Sequence, residues 1–169
     1  DEQLVFVSAF LSQQRRSFLE DFLPLFNEQY TLLGESREHV GMEYKSDLLH
    51  GDFAEKLKFA LEKDIHLQYT SMGIQKDDIL FHLNDYPIKK FGSQGQQKSF
   101  IIALRLAQYR YLKEKIGKSP VLLLDDVFDR LDFSRVKRLL GMVSDSQFGQ
   151  VIISDTDPKR LENLLKDVT

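Results

Sequence analysis

The stretch Phe91-Gly92-Ser93-Gln94-Gly95-Gln96-Gln97-Lys98-Ser99 gives the first firm indication of this chain's architecture, because an apolar helical pattern from Phe100 to Leu112 follows it. A glycine-containing turn at a helix start presents backbone N–H groups, and Ser93 adds a hydroxyl group. Together these donors suit a phosphate. Ser93 is also a candidate N-cap of the helix. Gly92 and Gly95 permit backbone conformations that other residues resist, which would let the turn approach a ligand closely.

A second informative stretch follows roughly 25 residues downstream, where the apolar run Val121-Leu122-Leu123-Leu124 leads into Asp125 and Asp126. A run of this kind predicts a strand in the middle of a covered parallel sheet. In α/β folds, ligands bind at the carboxyl ends of such strands. Two carboxylates at that end offer ligands for the magnesium ion that accompanies a nucleotide phosphate.

In this order and at this spacing, the two stretches resemble the C-terminal half of an ABC-type ATPase head of the SMC-like kind. Gln75–Asn84, Lys89–Lys98 and Leu122–Val127 are similar in particular to the RecF family of bacterial recombination mediators. The fold class implied by this resemblance is α/β, namely the C-terminal part of an ABC-type (P-loop NTPase) ATPase head with an N-terminal helical arm.

The resemblance also implies a division of the chain. Residues 1–68 are expected to form a helical arm or lever segment with a short strand. Residues 69–169 are expected to form the head segment, with the signature motif, the Walker B motif and the D-loop. No G-x-x-x-x-G-K-[ST] sequence occurs in the chain, so the Walker A loop that the family carries near its N-terminus is expected to lie outside these residues.

Periodicity predicts the principal elements. Residues 3–33 indicate one long amphipathic helix or two in series, with a buried stripe formed by Leu4, Val7, Leu11, Phe18, Phe22 and Leu25. Residues 39–45 alternate as a strand does, and residues 79–83 and 88–91 flank a turn that favours a hairpin. Further helices are predicted over residues 133–143 and from Asp157-Pro158 onward.

Site roles follow from the resemblance. The signature turn would contact the γ-phosphate held by a second subunit through Ser93, Gln94, Gly95, Gln96 and Gln97. Asp125 would hold Mg²⁺ as the Walker B residue. Asp126, where most ABC heads place a glutamate, would orient or deprotonate the attacking water. Asp132 would belong to the D-loop at the dimer interface, or equally would be the N-cap of the helix that follows it. Asp155 or Thr156 stands where many heads carry a switch histidine.

The function implied by the resemblance is that of an ATP-dependent DNA-binding protein in DNA repair, recombination, replication and the SOS response. ATP and Mg²⁺ would bind only together with the N-terminal half of the protein, so the chain alone would not hydrolyse ATP. The expected partners are DNA at single-strand/double-strand junctions, a RecR-like mediator, and a second copy in an ATP-dependent homodimer. Two alternatives stay open: another SMC-like head, and a nucleotide-independent interaction module in which the turn is only a helix cap.

Composition bounds these expectations. The chain has 169 residues, 42% of them apolar, with 13 phenylalanines and no cysteine, which excludes disulfides and thiol catalysis. No stretch reaches the ~20 apolar residues of a membrane span, and a cytoplasmic protein is expected. The formal net charge is −3, so charge alone does not indicate a nucleic-acid binder.

Overall fold

A computed structural model of the protein describes residues 2–34, 38–49, 51–128 and 131–156. The helices and strands follow in the order α1 (Glu2–Leu33), β1 (Val40–Lys45), α2 (Phe53–Leu67), β2 (Asp78–Leu83), β3 (Tyr86–Pro87), α3 (Ile88–Phe91), α4 (Gln94–Ile116), β4 (Leu122–Leu124), α5 (Phe133–Val143) and β5 (Val151–Ile153). This mixture of helices and strands is the α/β class expected from the sequence. The helix predicted after Asp157-Pro158 lies outside the described residues.

The strands form two sheets. The first has the order β1-β2-β3, and β2 pairs antiparallel with β3. The second consists of β4 and β5, which run parallel with Leu122, Leu123 and Leu124 opposite Val151, Ile152 and Ile153. A parallel pair needs a crossover between its strands, and α5 lies in that connection.

The described residues fall into two compact units that are each discontinuous in sequence. The first unit takes its residues from Asp1–Asp21 and Met42–Phe81, and the second from Phe22–Gly41 and His82–Thr169. The division expected from the resemblance, at residue 68, stays a prediction.

In the first unit, α2 begins at the N-cap Asp52, whose carboxylate accepts a 2.8 Å hydrogen bond from the Ala54 N–H. Away from α2, Arg15 forms a 2.7 Å ion pair with Asp77, whose side chain is only 2% exposed. The Tyr44 hydroxyl donates to the same carboxylate oxygen of Asp77. Both partners use the Oδ2 atom of Asp77, whereas its Oδ1 atom is buried without a partner among the described residues. The cluster links the start of the chain to β1 and to the residue before β2 within the unit.

The core of the second unit is aromatic. Phe26 of α1 meets Phe100 of α4 edge to face, with 4.8 Å between ring centroids, and Phe22 meets Tyr111 at 5.9 Å. These contacts fix α4 against the C-terminal part of α1 by burying large rings in a favoured geometry. The helix predicted over residues 133–143 is confirmed as α5, whose buried residues are Val136, Leu139, Leu140 and Val143.

The structure differs from the sequence predictions in α1. It is one continuous helix with Pro24 inside it, which decides between the single helix and the two helices in series. The predicted buried stripe is wrong in the first turns, because Leu4, Val7 and Leu11 are exposed whereas Ser8 and Ser12 are buried. The buried face of α1 forms only farther along, at Leu19, Phe22, Phe26, Gln29, Tyr30 and Leu33.

The predicted hairpin is also only half correct. Its second strand ends at Pro87, and the segment Ile88–Phe91 is the short helix α3 and not a strand. Proline has no N–H to donate to a sheet, so the ladder cannot continue through it. The chain becomes helical after Pro87, and the Gly92 N–H closes α3 on the Ile88 carbonyl at 2.9 Å. None of the helices in the described ranges is both long and apolar enough to cross a membrane.

Candidate functional site

The signature turn lies in the second unit and ends in a capped helix. Ser93 is the N-cap of α4, as the sequence predicts: its hydroxyl oxygen accepts from the Gln96 N–H at 3.2 Å. The Gln96 side-chain oxygen in turn accepts from the Ser93 N–H at 2.8 Å, which completes a capping box. The Ser93 side chain is exposed. The cap therefore presents its hydroxyl group to solvent at the positive end of a helix of 23 residues.

Two backbone N–H groups at this helix end have no acceptor among the described residues. The first N–H groups of a helix have no intrahelical acceptor. Here the Gln97 N–H donates to the Ser93 carbonyl at 2.9 Å, and the Gln96 N–H is used in the capping box. Within the described part of the chain, no acceptor is present for the N–H groups of Gln94 and Gly95. The turn therefore has two unsatisfied N–H groups beside the Ser93 hydroxyl, which is the donor set that a phosphate oxygen requires.

The side chains of Gln96 and Gln97 hold the turn together. The Gln97 amide donates to the Gly92 carbonyl at 2.8 Å. The Gln96 amide donates to Glu38 at 2.7 Å, and the other oxygen of Glu38 accepts from the Tyr30 hydroxyl, also at 2.7 Å. The turn is thus braced against α1 and the segment before β1, and the contact of Gln96 and Gln97 with a nucleotide stays a prediction.

The glycines of the turn serve a different purpose from the expected one. Neither Gly92 nor Gly95 has a positive φ angle, so the turn does not use the conformations that only glycine readily adopts. At Gly92 the requirement is steric, because an added Cβ atom would lie 2.5 Å from the Ile88 Cδ1 atom and 2.7 Å from the Ile88 carbonyl oxygen. Gly95 lies in the first turn of α4. A side chain at Gly92 would therefore push the turn away from α3.

The two aspartates follow β4 at its carboxyl end, as the sequence predicts. Asp125 is exposed, and one of its carboxylate oxygens accepts from the Ser154 hydroxyl. Ser154 follows β5, and its N–H donates to the Leu124 carbonyl at 3.0 Å, which extends the parallel ladder by one bond. Ser154 is therefore held by the sheet in a position to orient Asp125.

Asp126 has a backbone conformation that few non-glycine residues adopt, with a φ angle of 46°. Its N–H donates to the Ser154 hydroxyl oxygen at 3.3 Å, and its carbonyl accepts from the Lys98 ammonium at 3.0 Å. The Oδ1 atom of Asp126 is buried and has no hydrogen-bond partner among the described residues. The carboxylate thus keeps an oxygen that could accept from a group brought to the site.

Asp132 is an N-cap in this structure. Its carboxylate accepts from the Arg135 N–H at 3.0 Å, where α5 begins. Hydrogen bonding by that backbone N–H holds the pKa of Asp132 below its ordinary value, although its partial burial opposes the shift. This observation supports the capping role, and the role in a D-loop stays a prediction. The neighbouring Arg130 lies outside the described residues.

Three residues of the site were not assigned a role from the sequence: Glu38, Lys98 and Ser154. Lys98 lies within the signature stretch itself, and Ser154 directly follows the apolar residues Val151, Ile152 and Ile153, so both positions carried a local signal. Glu38 carried none, because its contact with Gln96 joins residues far apart in the chain. Where many ABC heads carry a switch histidine, this chain has Asp155 and Thr156.

Relatives with high sequence identity are known. The chain is 47% identical to the DNA replication and repair protein RecF of Flavobacterium johnsoniae over 98% of its own length and 46% of that protein. It is 44% identical to RecF of Cytophaga hutchinsonii over 95% of its length and 42% of that protein. The chain therefore spans somewhat less than half of the relatives that it matches. No protein-family model matches it.

Solved structures agree with the sequence relatives. The recombination mediator protein RecF-ATPrS of the RecFOR pathway superposes with a TM-score of 0.75 at 26% identity, over 94% of this chain and 44% of that chain. An SMC ATPase structure superposes with a TM-score of 0.51 at 16% identity, over 88% of this chain and 76% of that chain, which shows a shared fold. Over nearly its whole length the chain is therefore similar to part of the RecF proteins, and it has the fold of the C-terminal part of an SMC-like ABC ATPase head.

Proposed function

We propose that this chain supplies two parts of a RecF-like, ATP-dependent dimer that acts in DNA repair. In one subunit it contributes the Walker B carboxylates Asp125 and Asp126 to the nucleotide bound by that subunit. Through the turn from Ser93 to Gln97 it contacts the γ-phosphate of the nucleotide bound by the partner. The observation that carries the proposal is a pair of motifs in one compact unit, joined by the hydrogen bond from Lys98 to Asp126.

The turn supports a phosphate-binding role by its free donors. The N–H groups of Gln94 and Gly95 and the exposed Ser93 hydroxyl lie at the positive end of α4, where the helix dipole favours an anion. A helix cap that served only to stabilise α4 would explain the Ser93–Gln96 capping box. It would not explain the contact from Gln96 to Glu38, which braces the turn from outside the helix.

Asp125 fits a magnesium site. Mg²⁺ is usually held by one or two carboxylates together with substrate phosphates and waters. Asp125 is exposed at the carboxyl end of a parallel strand, and Ser154 occupies only one of its oxygens. No group of three or more acidic, histidine or cysteine side chains suited to a metal occurs in the described ranges, so Asp125 would share the ion with the nucleotide. When bound, Mg²⁺ would neutralise charge on the phosphates.

Asp126 is assigned to the attacking water. Its Oδ1 atom is buried and has no donor among the described residues, so a water that donates a hydrogen bond to it must occupy that buried position. Because the backbone of Asp126 is held at both its N–H and its carbonyl, the carboxylate is directed by the fold and not by side-chain rotation alone.

The remaining parts of the mechanism come from the family. A P-loop must be supplied by residues other than those of this chain, so hydrolysis requires the protein that contains both. DNA at single-strand/double-strand junctions and a RecR-like mediator are the proposed partners of the closed dimer. Nucleotide binding would favour closure, and hydrolysis would release it, because only the closed form brings the turn to the γ-phosphate.

The test uses the protein in which this chain is joined to its P-loop half. Dimerisation is followed by light scattering with and without ATP and Mg²⁺ for the wild type and for Ser93→Arg. We expect ATP to dimerise the wild type but not the variant, since arginine would fill the space that the phosphate needs. Ser93→Asp is a second variant, because aspartate caps a helix as well as serine does and yet repels a phosphate.

A matched control is Ser146→Arg, which adds the same side chain at an exposed position after α5. It should dimerise as the wild type does. If Ser93→Arg and Ser93→Asp also dimerise normally, the turn is only a helix cap, and a nucleotide-independent interaction module becomes the better account of this chain.

A further inference from the structure

The backbone of Asp126 needs an explanation beyond its position after β4. A φ angle of 46° is uncommon for a residue other than glycine. Such strained conformations persist only where the surrounding contacts impose them, and they concentrate at functional sites. The contacts made by the backbone of Asp126 therefore identify the groups that set the direction of its carboxylate.

Two side chains make these contacts, and they differ in strength. The Asp126 N–H reaches the Ser154 hydroxyl oxygen at 3.3 Å, which is long for an N–H···O hydrogen bond. The Lys98 ammonium reaches the Asp126 carbonyl oxygen at 3.0 Å, and a charged donor makes the stronger bond. Lys98 therefore carries the larger part of the constraint.

Lys98 is not placed as an ordinary surface lysine. It is half-buried, and its ammonium has no carboxylate partner among the described residues. Its recorded partner is a backbone carbonyl on a different element, beyond the end of β4. Ordering the ammonium group there costs the side chain rotamer freedom, and its charged hydrogen bond to the Asp126 carbonyl opposes that cost.

We propose that Lys98 is a positioning residue for ATP hydrolysis, which it serves by holding the carbonyl of Asp126 and so fixing the carboxylate that meets the attacking water. The inference rests on the proposed function of Asp126. Lys98 lies in the second turn of α4, and Ser93 caps the same helix. Helix α4 would thus present the signature turn to the nucleotide bound by the partner subunit. Through Lys98 it would also orient the Asp126 carboxylate, which acts on the nucleotide bound by its own subunit.

The experiment compares Lys98→Met with Lys113→Met in the protein that contains the P-loop. Lys113 is a matched control, because it also lies on α4 and also donates its ammonium to a backbone carbonyl, that of Gln147 at 2.6 Å. We expect Lys98→Met to lower kcat by about tenfold or more, with KM for ATP and ATP-dependent dimerisation changed by less than about twofold. Lys113→Met should leave all three unchanged.

Two further variants separate positioning from general stability. Lys98→Arg keeps a donor for the carbonyl and should recover most of the turnover, even if Lys98→Met folds poorly. In the double variant of Lys98→Met with Asp126→Asn, kcat should be no lower than for Asp126→Asn alone, because Lys98 acts through Asp126. Additive losses in the double variant would overturn the inference.

The outcomes distinguish this inference from the proposed function. If Asp126→Asn hydrolyses ATP as the wild type does, the assignment of Asp126 fails and the inference fails with it. If Asp126→Asn is inactive while Lys98→Met keeps the turnover of the wild type, the proposed function stands and only the role of Lys98 is rejected.

Discussion

Aspartate stands at position 126, where most ABC heads carry glutamate, and its backbone supplies a physical reason. Asp126 adopts the left-handed conformation, which aspartate, asparagine and glycine tolerate better than other residues do. A short side chain can also interact with the nearby backbone in that conformation, whereas a glutamate cannot do so as easily. Aspartate therefore suits this backbone conformation better than glutamate would.

Two substitutions at this position should separate conformation from chemistry. Asp126→Asn should keep the stability of the wild type, because asparagine tolerates the left-handed region, but should lose turnover. Asp126→Glu should lower the free energy of unfolding by roughly 1 kcal/mol, which is the cost of the left-handed conformation for an ordinary residue. Urea unfolding and the steady-state ATPase rate measure the two effects. A glutamate variant as stable as the wild type would contradict this account of the turn.

The sequence predicted the individual site residues better than it predicted their contacts. Ser93 as an N-cap and Asp125 and Asp126 at a strand end follow from local rules about helix starts and buried strands. The contacts of Gln96 with Glu38 and of Lys98 with Asp126 join distant parts of the chain. No local pattern specifies such pairs, so they could be found only from the folded structure.

Helix α5 is the element that the sequence predicted best. Its apolar residues recur at the spacing of a single helical face, and Asp132 precedes them as a capping residue, so both its bounds and its N-cap are confirmed. The opposite case is α1, where apolar residues surround the first turns and periodicity could not select the buried face. Tertiary contacts decide there, and they bury Ser8 and Ser12 instead.

The cap of α5 gives a prediction with a definite pH dependence. Asp132→Ala should lower the free energy of unfolding by about 1 kcal/mol at neutral pH, whereas Asp132→Asn should cost little, because asparagine caps a helix equally well. The pKa of Asp132 is lower in the folded chain than its ordinary value. Its carboxylate therefore stabilises the fold above the ordinary pKa of 3.8, and this contribution is lost as the pH falls through the lower folded value.

Urea unfolding of the wild type and of Asp132→Asn between neutral and acidic pH measures this effect. The advantage of the wild type over Asp132→Asn should be largest near neutral pH and should shrink on acidification. An advantage that grew on acidification would contradict the sign of the shift. If Asp132 also contributes to a D-loop, Asp132→Asn should weaken ATP-dependent dimerisation without weakening the fold.

Considered as a whole, the described chain leaves one face of its parallel sheet uncovered. Leu122 and Leu124 are 6% and 4% exposed, whereas Leu123 between them is 68% exposed and its neighbour Ile152 is 51% exposed. Parallel sheets are normally covered on both faces. The apolar run predicts a covered strand only where the sheet has its neighbours, and the run does not reveal which of its two faces has one.

Substitutions on the two faces of β4 should therefore behave differently. Leu124→Ala should lower the free energy of unfolding by about 2–5 kcal/mol, because it removes buried side-chain volume. Leu123→Ser should change it by less than about 0.5 kcal/mol, as exposed positions do. We expect this exposed apolar face to make the 169-residue chain self-associate, and Leu123→Ser should reduce that association, measured by light scattering. Unchanged association would mean that another surface is responsible.

The uncovered sheet face also has a consequence for the life of the protein in a cell. Exposed apolar surface of this kind is what chaperones bind and what aggregation begins from. A polypeptide in which Leu123 and Ile152 stay exposed would be retained by chaperones or degraded by proteases, as incompletely folded proteins are. Packing of another element onto this face would complete the fold. The cellular abundance of the protein should therefore be higher when the face is covered than when it is exposed.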